Sequence, residues 1–224
     1  MNLRLPTAIL TAGALAFTTA ACGDEEETAS TSSSGAAASA ETPKPVAQID
    51  ALTGKSTAVA LDAGFVEALT SLKVTPGPVG DATISKAGVA SFPITGGNVT
   101  YYEPGTVTPY VQGLINHDGS GLSLTAGGKK VELENFDVDP GKSVLTGDVS
   151  VDGTEAVADA PLFSLDGRTL KPLQAKDDGT AVLEGTTVKL TEEAAALLNE
   201  TFGITALEAG LVIGIAKITV NTGA

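Results

Sequence analysis

The sequence predicts a mainly β fold, an antiparallel β-sandwich or open barrel with two short helices. Three observations carry this. Apolar and polar residues alternate at period two along most of the chain after residue 50, the pattern of strands with one buried face. The 26 glycines recur with Asp, Asn and Pro between these stretches, where tight turns need them. Only two segments carry the three-to-four-residue apolar spacing of an amphipathic helix.

Residues 57–61 are the first strand candidate. Asp62 then caps a helix whose Phe65, Leu69 and Leu72 fall on one face. Strands follow at 89–94, ended by Thr95-Gly96-Gly97, and at 98–102, turned by Glu103-Pro104-Gly105. Residues 107–115 are extended, with Pro109 marking an edge or a bulge because it has no N–H to donate. Residues 122–125 lead into a hairpin signal at Ala126-Gly127-Gly128. In 130–138, Val131 and Leu133 share one face while Phe136 and Val138 are out of phase, which implies a bulge near Asn135. Further strands fall at 144–151, 162–165, 181–190 and 213–220. The second helix spans 191–202: Thr191 caps it, and Glu192 and Glu193 lie in the first turn, where the helix dipole favours acids. Its Leu197, Leu198 and Phe202 form a stripe suited to core packing. Both helices lie in a V-x-L-cap, helix, [VI]-G-x-A-x-I context, as a weak internal repeat would.

The first 21 residues have the form of an address. Arg4 supplies positive charge, 5–17 is uncharged and mostly apolar, and Thr19-Ala20-Ala21 precedes Cys22-Gly23. Small residues before the sole cysteine fit a bacterial lipoprotein signal, with Cys22 as the lipidated mature N-terminus. Acyl chains contribute about 0.8 kcal/mol per buried CH₂, so several would hold the protein on a membrane. The apolar run is shorter than the roughly 20 residues of a membrane span. Residues 22–50 follow as a tether: Asp24-Glu25-Glu26-Glu27, then Thr, Ser, Gly and Ala, then Thr42-Pro43-Lys44-Pro45. Such a spacer reaches roughly 30 Å in root-mean-square terms. The expected organisation is signal 1–21, tether 22–50 and one β-rich domain at 51–224.

Composition removes several functions. Thirteen basic residues against 27 acidic give a net charge of −14. Removal of Arg4 with the signal leaves 12 against 27, or −15. Such a chain is no partner for nucleic acid, where Lys and Arg must replace counterions. One Cys and one His exclude an internal disulfide, a multi-Cys zinc site and any two-imidazole site. No Gly-x-Ser-x-Gly elbow occurs, and Ser120 lies too close to His117 in sequence for a nucleophile–base pair. Gly127-Gly128-Lys129-Lys130 lacks the Ser/Thr and the strand–loop–helix setting of a phosphate loop. Asp137 and Asp139 alternate as oxygen ligands or paired catalytic acids would, but Pro140 and Lys142 suit a solvated turn better than a calcium loop.

His117 is the one imidazole, placed at the end of the 107–116 strand and read first as a loop residue. Its functional alternative is a ligand in a pocket shared with a tyrosine. Tyr101, Tyr102 and Tyr110 lie on neighbouring strands, and Tyr101 and Tyr102 point to opposite faces, so at most one of those two can join it.

Three stretches carry a family resemblance: Phe92-Pro93-Ile94-Thr95-Gly96-Gly97, then Gln112-Gly113-Leu114-Ile115-Asn116-His117-Asp118-Gly119, then Gly121-Leu122-Ser123-Leu124. With Thr191-Glu192-Glu193-Ala194 after Leu190, they resemble the haem-transport-associated (HtaA) domain over residues 57–220. The resemblance implies a β-rich fold with small helices in a secreted or anchored envelope protein. It also implies a haem held by a tyrosine near a histidine, with His117 on the family histidine. The family tyrosine falls in the segment that here is 61–74, which has no Tyr or Trp. The expected protein is therefore lipid-anchored outside the cytoplasm and non-enzymatic. It carries a binding or structural module with no metal and no established cofactor. Haem through His117 with Tyr101, Tyr102 or Tyr110 is one alternative, and a carboxylate hydrolase using Asp137 and Asp139 is another. The first of these readings, a surface module whose ligand is unknown, predicts a closed apolar core with no deep pocket.

Overall fold

Strand alternation closes most of this chain into one curled sheet. The structure is a computed structural model and describes residues 43–223. The expected signal segment, Cys22 and most of the tether lie outside those residues. The strands are β1 (Ala47–Ile49), β2 (Lys55–Leu61), β3 (Thr75–Gly80), β4 (Thr83–Ile84), β5 (Val89–Pro93) and β6 (Gly96–Tyr101). They continue as β7 (Val111–Ala126), β8 (Lys129–Asp139), β9 (Val144–Val151), β10 (Thr154–Asp166), β11 (Gln174–Ala175), β12 (Thr180–Leu190) and β13 (Val212–Asn221). Helix α1 (Ala63–Ser71) follows β2, and α2 (Glu192–Phe202) joins β12 to β13.

All pairings between these strands are antiparallel. They form a single 13-stranded sheet ordered β1-β6-β7-β8-β9-β10-β12-β13-β2-β5-β4, with β11 beside β12 and β3 beside β7. Of the two expected architectures the open barrel is therefore the one formed, as a curled half-barrel. The chain leaves β5 on one flank and after two residues enters β6 on the other. Ile94 N donates to Lys55 O at 2.8 Å and Thr95 N to Asn116 O at 2.9 Å, so this connector bridges β2 and β7 across the gap.

Several boundaries differ from the sequence reading. β1 lies inside the expected tether and pairs Ala47 with Tyr101, so the folded part begins before residue 51. Pro109 lies in the loop before β7, not in a strand. Residues 111–115 and 122–125, separate strands by sequence, belong to one 16-residue strand. They join because a bulge absorbs the polar residues between them. His117 pairs with Phe136 and Gly121 with Glu134, so residues 118–120 stand opposite Asn135 alone. Asn135 adopts φ 53°, and its Oδ1 accepts from Gly119 N at 2.9 Å. The bulge expected near Asn135 is thus present. Gly80 passes over it: a Cβ there would lie 1.9 Å from the Gly119 carbonyl oxygen, at a φ of 57° that already favours glycine.

Both expected caps form. Asp62 accepts from Gly64 N at 2.8 Å and Thr191 Oγ1 from Ala194 N at 3.1 Å. Thr191 Oγ1 also donates to Pro161 O at 2.6 Å, which ties the start of α2 to β10. Helix α1 packs on β3 and β13, and α2 on β8 and β10. The internal repeat does not extend to topology. β13 returns beside β12, whereas β3 leaves β2 and pairs with β7.

Most of the buried apolar residues fall into two clusters. The larger holds the helix residues Phe65, Leu69 and Leu198 with Leu133 and the fully buried Val131 and Val149. The smaller holds Leu52, Ile94, Ile115, Val138, Ala181 and Val220, with no helix residue.

Candidate functional site

The smaller cluster does not fill the curl. A cavity of about 430 Å³ lies inside it, within the roughly 300–1,000 Å³ common for ligand sites. The closed core expected of a surface module with an unknown ligand is therefore not what the chain builds. Period two explains the lining, because alternate residues of each strand face inward. Thr57 and Val59 do so on β2, Phe92 on β5, Ile115 and His117 on β7, and Phe136 and Val138 on β8. Three rings, Phe92, Phe136 and Phe163, belong both to the larger cluster and to the cavity wall. Their centroids are 5.2 Å and 6.4 Å apart in edge-to-face contacts. They form a floor between the helix-packed region and the hollow one.

His117 is not a loop residue. It lies within β7, one step along the same face as Ile115, and is 1% exposed. The polar run Asn116-His117-Asp118-Gly119 reads as a strand end, but it continues through the bulge. The His117 ring is held at both nitrogens. Nδ1 lies 3.0 Å from the Phe136 carbonyl oxygen, which can only accept, so Nδ1 carries the proton. Nε2 therefore accepts from the Thr57 hydroxyl at 2.8 Å. β7 and β2 are not neighbours in the sheet, so this bond spans the interior of the curl. Burial pushes the imidazole below its ordinary value, against the opposing pull of the Phe136 carbonyl and of Asp137 and Asp118. The ring is neutral in a fixed tautomer.

The structure brings two of the three tyrosines to this cavity. Tyr101 and Tyr110 line it and meet edge to face with centroids 5.8 Å apart. Burial, with Tyr101 beside it, raises the Tyr110 phenol above its ordinary value. Tyr102 is not on the lining; its backbone N–H donates to Tyr110 O at 2.7 Å. The opposite orientation of Tyr101 and Tyr102 follows from strand alternation, as expected.

The hydrolase candidates do not assemble. Asp137 and Asp139 alternate with the inward Phe136 and Val138 and are absent from the cavity wall. Asp137 accepts from Asn116 Nδ2 at 2.6 Å. Partial burial pushes Asp139 up, but its bonds to Lys142 more than offset this and hold it below the ordinary carboxylate value. Ser120 donates to the His117 carbonyl oxygen at 3.1 Å, not to its ring. Among the described residues, no group of three His, Cys, Asp or Glu is placed to hold a metal ion. No helix among them is long and apolar enough to cross a membrane.

The exposed lining residues mark the rim: Gln48, Thr108, Ser143, Gly167 and Arg168. Arg168 grips Asp166 through Nε at 2.9 Å and through Nη2, and Lys189 Nζ reaches the same carboxylate at 2.8 Å. The two cations hold Asp166 well below the usual carboxylate range. Sequence reasoning passed over Thr57, the three phenylalanines and Arg168. The inward phase of Thr57 with Val59 was visible; its partner 60 residues away was not.

No known protein family and no curated protein matches the chain. Solved structures do. The fold is similar to that of the C-terminal domain of HtaA from Corynebacterium glutamicum, with a TM-score of 0.54 at 14% identity, covering 76% of this chain and 98% of that one. A domain-swapped dimer of a histidine-to-alanine variant of the same domain aligns at 15% identity with a TM-score of 0.44, over 72% of this chain and 92% of that one.

Proposed function

We propose that this chain is a non-catalytic binding module of the bacterial envelope, lipid-anchored through Cys22 and facing outward, which takes an apolar small molecule into the curled sheet. The single observation behind the binding reading is the cavity of about 430 Å³, lined by inward strand residues. An unfilled apolar volume of this size costs dispersion contacts that a packed core would make. Filling it with a ligand recovers them. The anchor reading is supported by Arg4, the apolar run and Ala20-Ala21-Cys22-Gly23. The tether would hold the cavity clear of the membrane surface.

The test uses the full chain and N-phenyl-1-naphthylamine, whose fluorescence rises in apolar surroundings. The reading predicts saturation at one probe per chain. A linear, unsaturated response would remove it. Fractionation of cells carrying Cys22→Ser should move the protein from membrane to soluble fractions, and unchanged partition would remove the anchor.

A second reading is haem binding, supported by the fold similarity and by His117 on the cavity wall. As they stand, the residues do not fit an axially ligated haem. Both His117 nitrogens are bonded, so an axial bond from the imidazole would have to break one of them, and Tyr101 and Tyr110 are the other side chains of the lining that could ligate iron. Hemin titration decides between the two. A Soret shift in the wild type that disappears in His117→Ala would establish haem, and an unchanged spectrum would discard it.

A further inference from the structure

We infer that the cavity receives a single aliphatic hydrocarbon chain, floor first, with the chain's polar head left at the rim. This rests on the binding reading above and names its ligand class. The inference follows from where the polar groups are. Among the described residues, His117 and Thr57 are the buried polar side chains of the lining apart from the Tyr101 phenol, and they are satisfied by each other and by the Phe136 carbonyl. The His117 proton is given to Phe136 O, and the Thr57 proton is given to Nε2. No free donor remains there for a ligand carbonyl, carboxylate or iron-bound group. A carbonyl or carboxylate brought to the floor would lose its water and gain no hydrogen bond in return. A methyl terminus loses nothing.

The walls agree. Between floor and rim they present Val138, Leu145, Leu165, Leu183 and Ile218, aliphatic side chains from five strands. Aliphatic walls suit a flexible chain, which makes the same dispersion contacts along its length without needing a fixed orientation. At the rim the chemistry changes. Gln48, Ser143 and Arg168 are exposed beside the opening, where a head group can meet both protein and water. The polarity thus runs one way along the cavity, from a satisfied floor to a hydrated rim. An amphiphile with one tail has that polarity and asks nothing of the floor, whereas a haem, with its propionates on one edge, would also need a ligand for its iron, and both His117 nitrogens are already bonded.

The experiment titrates the full chain with cis-parinaric acid, a fluorescent fatty acid, and competes it with palmitic acid and with hemin. The inference predicts saturation at one probe per chain, displacement by palmitic acid and no displacement by hemin. Ala181→Phe and, separately, Leu183→Trp add volume to the wall; each should weaken the probe at least about tenfold while unfolding stays cooperative. Two variants are used so that one misfolded protein does not decide the matter. Hemin displacing the probe while palmitic acid fails would overturn the hydrocarbon class and leave the binding reading intact. No saturation by parinaric acid, hemin or N-phenyl-1-naphthylamine would overturn both. Comparing the lipidated chain with Cys22→Ser separates two sources of the same chemistry. Binding by both assigns a free lipid. Binding by Cys22→Ser alone assigns the anchor's own acyl chain, and the hydrocarbon class stands in either case.

Discussion

The two regions inside the curled sheet are built from the same strands and by the same alternation, yet one is filled and the other is hollow. In the filled region α1 and α2 bring Phe65, Leu69 and Leu198 down onto Val131, Leu133 and Val149. In the hollow region no α-helix arrives, and Ile115, Val138, Ala181 and Val220 face a cavity. The difference shows what a strongly curled sheet needs. Its concave face fills itself only where side chains meet across the curl, as Thr57 and His117 do at 2.8 Å. Elsewhere something must enter. On one side of the Phe92–Phe136–Phe163 floor that is helix. On the other side it is space for a ligand.

The sharpest way to break this comparison is to shorten one side chain on each side. Leu133→Ala in the filled region should cost about 2–5 kcal/mol, since it opens a new cavity in rigid surroundings. Ile218→Ala borders a cavity already present and should cost clearly less, about 1–2 kcal/mol of lost transfer free energy. Equal losses in chemical denaturation would show that both regions are packed alike.

A smaller effect belongs to the boundary between them. His117→Phe keeps a ring but leaves the Thr57 hydroxyl and the Phe136 carbonyl without their partner, for about 1–3 kcal/mol. The wild type should also depend on pH. The folded His117 binds its proton more weakly than the unfolded one, whose value is 6.5. Its contribution is complete above that value, declines as pH falls below it, and is gone once pH is under the folded value. The variant should lack this part of the profile. Superimposable pH–stability curves would show that His117 is not held neutral.

The smallest effect differs in sign between the regions. Ala181→Ile adds methylenes into open space and should stabilise by up to about 1 kcal/mol. Ala195→Ile on α2 adds the same atoms to a packed site and should destabilise by about 1–3 kcal/mol. A melting temperature lowered by both would argue that the hollow region is full.

The sequence made the filled region more legible than the hollow one, for a local reason. Helix caps at Asp62 and Thr191, the stripe at Phe65 and Leu69, and the phase slip at Asn135 are each encoded within a few residues. The hollow region depends on the curl, which arises from pairings over long separations. The Thr57–His117 bond joins β2 to β7, and nothing near either residue announces the other. A polar run across 116–119 read as a strand end because a bulge and an end look alike without the partner strand. That Tyr101 and Tyr102 point to opposite faces follows from alternation alone, but which of them faces inward does not. That both faces would not be buried equally required the sheet.

One measurement bears on the difference between the regions most directly. The methyl resonances of isotopically labelled full-length protein would be followed by NMR during titration with palmitic acid. The account predicts shifts at Val138, Leu165 and Ile218, saturating together, with Leu133, Val149 and Leu198 unmoved. Shifts spread equally over both sets, or absent from both, would contradict it.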